Sequence, residues 1–243
     1  MIITRAITRR QFSISAGISF LGLASISSAL NKPQELHYYS ARSSWDGQHF
    51  INGFNSKGVS LFDTTLPARG HAVTVAPSSQ HIAVVGRRPG YFIYILNAKT
   101  GDVVSKIKPE KNRHFNGHSF FSADGRWLYT TETDFEENCG MIGVYDVENN
   151  YRFLKEFLTH GLDPHEILFL SDKKTLVVAN GGILTRPETE RSKLNVDSMQ
   201  PSLVYLNAED GKLEHQYFLP QKLHQNSIRH ITRDANDTIF IAM

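Results

Sequence analysis

The stretch GHSFFSADGRWLYTT, residues 117–131, decides the fold because the chain repeats its pattern. It opens with a histidine, continues through an apolar run, turns at Asp-Gly and ends in a second apolar run. Similar stretches begin at Gly70, Pro164 and Arg229, and the aligned histidines lie 47, 47 and 65 residues apart. A repeat of about this length, built from short apolar runs, is typical of β-propeller blades.

Each repeat unit contains about four predicted strands. The first carries the histidine, the second follows the turn, and a later strand ends in an acidic or amide residue such as Asn97 or Asp146. The longer interval of 65 residues reflects a polar, turn-rich insertion at 181–202. An earlier unit without the histidine fits residues 36–55. We therefore predict an all-β fold, a β-propeller.

The predicted propeller domain, residues 30–243, holds about four blades and the start of a fifth. The pattern stops inside the predicted strand IFIAM. Because an open blade edge exposes unpaired backbone and an apolar face, we expect the chain to be a C-terminally truncated form of a longer propeller. Closure of a four-bladed ring is the alternative.

Residues 1–29 have the layout of an export signal. The pair Arg9-Arg10 precedes an apolar run of about fourteen residues, and small residues follow near Ala29. The basic pair resembles a twin-arginine signal, which predicts the twin-arginine translocation machinery as a partner and a periplasmic location. A transmembrane anchor is the alternative, but the run is shorter than the roughly twenty residues that a spanning helix needs.

Composition excludes some classes of partner. The chain has 26 Lys and Arg against 24 Asp and Glu, a formal net charge of +2, so we expect no nucleic-acid partner. Cys139 is the only cysteine, so no intramolecular disulfide can form. The sequence lacks the HExxH, Walker and CxxCH motifs and a dinucleotide fingerprint, so no motif supports an enzymatic activity.

The repeated histidines are the main candidate site. Because the first strand of each blade lines the channel, residues at equivalent positions form a ring around it. The predicted ring consists of His71, His118, His165 and His230. Converging imidazoles suit iron, copper or zinc, and Glu132 and Glu166 are candidates to fix their tautomers. The alternative is that each histidine is structural and ties down its own blade.

Arginines flank the predicted ring. Arg69 and Arg229 lie beside ring histidines, and the RRPG stretch adds Arg87 and Arg88. Their positive charge favours a carboxylate, phosphate or other anionic ligand. Ordinary pairing of loop arginines with aspartates is the alternative.

Several longer motifs occur in order along residues 36–243, among them LPARGHAV, GHSFFSADGRWLYTTETD, DPHEILFLSDKKTLVVANGGI and SKLNVDSMQPSLVYL. In these motifs the chain resembles the domain-of-unknown-function 1513 family. The resemblance implies a bacterial periplasmic propeller of the seven-bladed type, typically longer than this chain. It also implies gene neighbours that are imelysin-like and di-haem peroxidase-like, a setting of periplasmic iron or other metal handling. No catalytic residue follows from it, since the family has no assigned activity.

These observations lead to one main functional prediction and two alternatives. We predict a periplasmic binding or accessory protein in iron or other metal uptake, with periplasmic metal-uptake proteins as partners. One alternative is a metal-dependent enzyme at the channel, either an oxidoreductase or a lactonase-like hydrolase. The other is a protein-interaction scaffold in which the histidines are structural.

Overall fold

The computed structural model describes residues 37–78, 80–189 and 192–243, so the predicted export signal at 1–29 lies outside the described residues. The strands are β1 (His37–Ser43), β2 (His49–Asn55), β3 (Ser60–Leu66), β4 (Gly70–Val75), β5 (His81–Gly86), β6 (Ile93–Asn97), β7 (Val103–Ile107), β8 (Arg113–Phe121), β9 (Trp127–Asp134), β10 (Cys139–Asp146), β11 (Arg152–Leu158), β12 (Pro164–Phe169), β13 (Thr175–Asn180), β14 (Ser202–Asn207), β15 (Leu213–Phe218), β16 (His230–Arg233) and β17 (Ile239–Ala242). The described part of the chain includes three 3-10 helices, at Pro187–Thr189, Val196–Ser198 and Gln221–Leu223. Among the described residues, no helix has the length and apolar character needed to cross a membrane.

The strands form five antiparallel sheets, which we number as blades 1 to 5 in chain order. Blade 1 is β1–β3, blades 2, 3 and 4 are β4–β7, β8–β11 and β12–β15, and blade 5 is β16–β17. Within each blade, successive strands pair as neighbours. The first strands of successive blades contact one another, β4 with β8, β8 with β12 and β12 with β16. The chain is therefore an all-β propeller, as predicted, and its first strands line the centre.

The hydrophobic core lies between blades rather than within one. Ile93 and Ile95 of blade 2 pack with Phe115 and Tyr145 of blade 3. Blades 3 and 4 meet through a cluster that includes Ile142, Val144, Leu176, Val178 and Val204. Similar clusters join blade 1 to blade 2 and blade 4 to blade 5. Because successive blades pack face to face, this packing fixes the spacing of their first strands.

The repeated acidic and amide residues at strand ends form turns. The Oδ1 atom of Asn97 accepts hydrogen bonds from the backbone N–H groups of Lys99 and Thr100, at 2.9 and 3.1 Å. Asp146 and Asn207 make the same type of turn at the equivalent positions. A side chain that accepts from the backbone two or three residues later stabilises a turn locally. These residues therefore connect the third and fourth strands of their blades.

Three of the four strands that carry the histidines are irregular at the histidine itself, whereas β16 pairs regularly with β17. The register of β4 with β5 shifts within residues 70–73, that of β8 with β9 within 115–119, and that of β12 with β13 within 164–166. Each interval contains one ring histidine. A β-bulge bends the strand and re-aims the side chains around it. The repeat predicts where these strands lie, but it does not predict the bulges.

Candidate metal centre

The four predicted histidines come together at the first strands of blades 2 to 5. His118 and His165 are the central pair, with ring centroids 4.5 Å apart. The ring of His71 lies 4.9 Å from that of His118 and 5.7 Å from that of His165. The ring of His230 lies 4.9 Å from that of His165 and 5.3 Å from that of His118. Each ring thus packs against rings from other blades.

Gly117 makes this close packing possible. Its φ of 104° is in the region that favours glycine, and a Cβ atom there would lie 2.5 Å from Cδ2 of His71. The backbone of β8 therefore approaches the imidazole of the preceding blade without a side chain between them. The Gly-His pair at the start of the opening stretch reflects this contact between blades.

The central pair is buried and neutral. His118 and His165 are 9% and 8% exposed. Burial lowers the pKa of His118 well below its ordinary value, and repulsion from His71, His230 and Arg229 lowers it further. Burial is also the main cause that lowers the pKa of His165, followed by repulsion from His118 and Arg229. Both rings therefore stay unprotonated at neutral pH, the form of imidazole that binds metal ions.

Two buried nitrogens of the central pair have no hydrogen-bond partner among the described protein atoms. They are Nε2 of His118 and Nδ1 of His165. Buried polar atoms are nearly always paired, and leaving one unpaired costs about 1–3 kcal/mol. These two atoms therefore need a ligand or a water to be satisfied.

Glu166 joins the histidines, as the sequence predicts. Its Oε2 atom accepts a 2.8 Å hydrogen bond from the backbone N–H of Ile231 and lies 3.2 Å from Nδ1 of His230. Its Oε1 atom lies 3.8 Å from Nδ1 of His118. The carboxylate is thus held by blade 5 and faces a histidine of blade 3.

The cluster offers two sets of three side chains that could hold a metal ion. One set is His71, His118 and His165; the other is His118, Glu166 and His230. Within each set the candidate ligand atoms lie within 4.8 Å of one another. His118 belongs to both sets, so it is the common element of the site.

Two of the flanking arginines pair with a buried carboxylate, Asp163, that was not predicted from the sequence. Asp163 is 2% exposed, and its two oxygens pair with Arg88 and with Arg229, the latter at 3.0 Å. Arg229 is close enough to the central pair to lower the pKa of both rings. Asp163 lies two residues before His165, where the other blades have different residues, so the repeat gives no signal for it.

Arg69 and Arg87 lie side by side at the start of blade 2. The backbone N–H of Arg87 donates a 2.8 Å hydrogen bond to the carbonyl of Arg69. The side chain of Arg69 is exposed and that of Arg87 is half-buried. Their role in binding an anionic ligand stays a prediction.

Glu132 lies elsewhere, so its predicted place beside the histidines is wrong. Its buried Oε1 accepts hydrogen bonds from Thr130 Oγ1 at 2.6 Å and from the Tyr145 hydroxyl at 3.0 Å. Because side chains alternate along β9, it is Thr131 that reaches the central strands, donating to the carbonyls of His118 and His165 at 3.2 Å. Burial raises the pKa of Glu132 to about 7.

Comparison with known proteins identifies a family and a fold. Residues 64–243 match the family model described as "Protein of unknown function (DUF1513)". No curated protein shows significant sequence similarity to the chain.

Two solved structures with propellers resemble the chain in fold alone. The hydrazine synthase of Kuenenia stuttgartiensis matches with a TM-score of 0.62 and 14% identity, over 88% of this chain and 57% of that one. The Dos1 propeller matches with a TM-score of 0.54 and 14% identity, over 84% of this chain and 49% of that one. The chain therefore spans about half the length of the solved structures it matches.

Proposed function

The chain belongs to the DUF1513 family of proteins of unknown function, and we propose that it binds a transition-metal ion through the histidine cluster His71, His118, His165 and His230. The observation that carries this proposal is the pair of buried, unpartnered nitrogens on His118 and His165. They lie among imidazoles that four different blades contribute. Imidazole nitrogens are ligands for zinc, copper and iron.

A structural role for the histidines fits these contacts less well. A histidine that ties down its own blade would use its ring nitrogens on neighbouring backbone or side chains. Instead, His118 contacts the rings of three other blades. Packing neutral imidazole rings against one another provides hydrogen-bond partners for few of their ring nitrogens. A cation at the centre would accept electron pairs from several rings at once.

We place this activity in the periplasm, in metal uptake. The predicted twin-arginine signal supports this location, because that route suits proteins that fold before export. The surface at the cluster supports a binding or accessory role, since His71 is exposed and the side chain of His230 is 42% exposed. An ion held there could pass to a partner without crossing the core.

Metal analysis and calorimetric titration with Fe²⁺, Cu²⁺ and Zn²⁺ test the proposal. We expect about one ion per chain, and loss of binding in the double variant His118→Ala, His165→Ala. The matched control, His160→Asn with His215→Ala, removes two exposed histidines outside the cluster and should keep wild-type affinity. Circular dichroism of both variants checks that the fold is retained. Equal metal binding by the wild type and the cluster variant, with the fold intact, would show that the cluster is not the site.

A further inference from the structure

Resting on the proposed function, we propose that the ion is ferrous iron and that it binds at the carboxylate set, His118, Glu166 and His230. Two histidines and one carboxylate are the ligand arrangement of non-haem Fe²⁺ sites that keep open coordination positions, and they also occur in catalytic zinc sites. The competing set of His71, His118 and His165 has only neutral nitrogen donors, which suit zinc or copper equally well.

The geometry of Glu166 supports the carboxylate set. The backbone N–H of Ile231 holds Oε2 at 2.8 Å, so the carboxylate has a fixed orientation before any ion arrives. Its Oε1 atom is directed toward Nδ1 of His118, 3.8 Å away. Ligand atoms bound at about 2.1 Å on adjacent octahedral positions lie about 3 Å apart. Moving Oε1 of Glu166 and Nδ1 of His118 less than about 1 Å closer together therefore gives them the separation of two ligand atoms on one ion.

Charge also favours this set. Glu166 supplies a negative charge that attracts a divalent cation and that the three-histidine set lacks. Both Arg88 and Arg229 have Asp163 as an ion-pair partner, so part of the positive charge nearest the cluster is neutralised within the protein. The ion would thus meet a carboxylate on one side and buried neutral rings on the other.

The exposure of the ligand side chains indicates that solvent molecules can reach the coordination positions that the protein leaves open. The side chains of His230 and Glu166 are 42% and 27% exposed, whereas that of His118 is 11% exposed. Three protein ligands leave about three positions of an octahedral ion for water or small exogenous molecules. The inference therefore includes a ligand class: small molecules that bind directly to ferrous iron.

The test compares two single variants under anaerobic conditions. Glu166→Gln removes the carboxylate charge with little change of shape, and His71→Ala removes one ligand of the competing set only. We expect Glu166→Gln to weaken Fe²⁺ binding by at least about tenfold, because even an outer-sphere partner contributes 10–100-fold to metal affinity. His71→Ala should weaken Fe²⁺ binding less than Glu166→Gln does, because the ring of His71 packs against that of His118 but lies outside the carboxylate set. Nitric oxide added to the Fe²⁺-loaded wild type should give the EPR signal of a ferrous nitrosyl, which requires an open position.

The outcomes separate this inference from the proposed function. If His71→Ala weakens Fe²⁺ binding as much as or more than Glu166→Gln does, the ion sits in the three-histidine set and the inference is overturned. Binding of Zn²⁺ or Cu²⁺ without Fe²⁺, two ions per chain, or no nitrosyl signal would also overturn it, while leaving the proposed metal site intact. No stoichiometric metal of any kind would instead remove the proposed function itself. Thermal unfolding of both variants confirms that they fold.

Discussion

Replacing Gly117 with alanine tests how β8 brings the histidines together. An alanine at φ 104° would place its Cβ 2.5 Å from Cδ2 of His71, so two costs add. Holding an L-residue at positive φ costs about 1–2 kcal/mol. Displacing the ring of His71, which packs against that of His118 but is exposed on its other side, costs about 1–3 kcal/mol more. We expect Gly117→Ala to lower the free energy of unfolding by about 2–5 kcal/mol in total.

Gly125→Ala is the matched control, because Gly125 lies in the turn after the same strand. Its φ is 74°, but a Cβ atom there would meet Pro77 at 3.6 Å, an ordinary van der Waals distance. This variant should therefore incur only the backbone cost of about 1–2 kcal/mol. The difference between the two variants reports the contact with the ring of His71 together with the larger backbone cost at φ 104°.

Thermal and urea unfolding of both variants measure that difference. For a domain of this size, 1 kcal/mol shifts the melting temperature by about 2–4 °C. Gly117→Ala should therefore melt roughly 2–12 °C below Gly125→Ala. Equal melting temperatures would refute the reasoning, because they would show that the His71 ring does not press against the backbone of β8.

Three further predictions concern the buried charges and the proposed metal site. Burial raises the pKa of Glu132 from 4.5 to about 7, so the folded protein holds its proton more tightly than the unfolded chain. This contribution to stability is present below about pH 4.5 and is lost as the pH rises through about 7. The urea midpoint of the wild type should therefore fall between pH 5 and pH 8, and that of Glu132→Gln should fall less over the same range. Asp163→Asn leaves two arginines without their carboxylate and should cost about 3–5 kcal/mol, measured by urea unfolding, whereas a cost under about 1 kcal/mol would contradict the buried pairing. Metal at about 100 times its dissociation constant should stabilise the wild type by about 2.7 kcal/mol, measured as a higher melting temperature, and should leave the His118→Ala, His165→Ala variant unchanged.

The arrangement of the four histidines could be predicted from the sequence, because residues at equal spacing in a repeat occupy equivalent positions in successive blades. His71, His118 and His165 are 47 residues apart, so they occupy the same place on the first strand of successive blades. His230 follows the same rule because the insertion at 181–202 connects strands β13 and β14 and leaves the blade intact. Repeat logic therefore predicted both the fold and the convergence of the rings.

The polar partners of the histidines could not be predicted in this way. Glu132 and Glu166 look equally suitable in the sequence, since Glu166 directly follows His165 and Glu132 lies on the strand that pairs with the strand of His118. The bulge at residues 164–166 turns Glu166 toward the rings, whereas regular alternation along β9 turns Glu132 away from them. Asp163 is likewise determined by contacts with Arg88 and Arg229, which are 75 and 66 residues distant. Such features depend on strand irregularity and distant pairing, neither of which a repeat encodes.

The proposed ion site takes ligands from three blades, so ion binding affects how stably those blades pack together. The carboxylate set takes its ligands from β8, β12 and β16, the first strands of blades 3, 4 and 5. An ion bound there would cross-link three blades whose spacing otherwise depends on the apolar clusters between them. Metal affinity and blade packing are then thermodynamically linked: whatever loosens the contact between blades 3 and 4 must weaken binding, and the bound ion must stabilise that contact by the same free energy. The site is therefore a property of the assembled blades rather than of any single repeat unit.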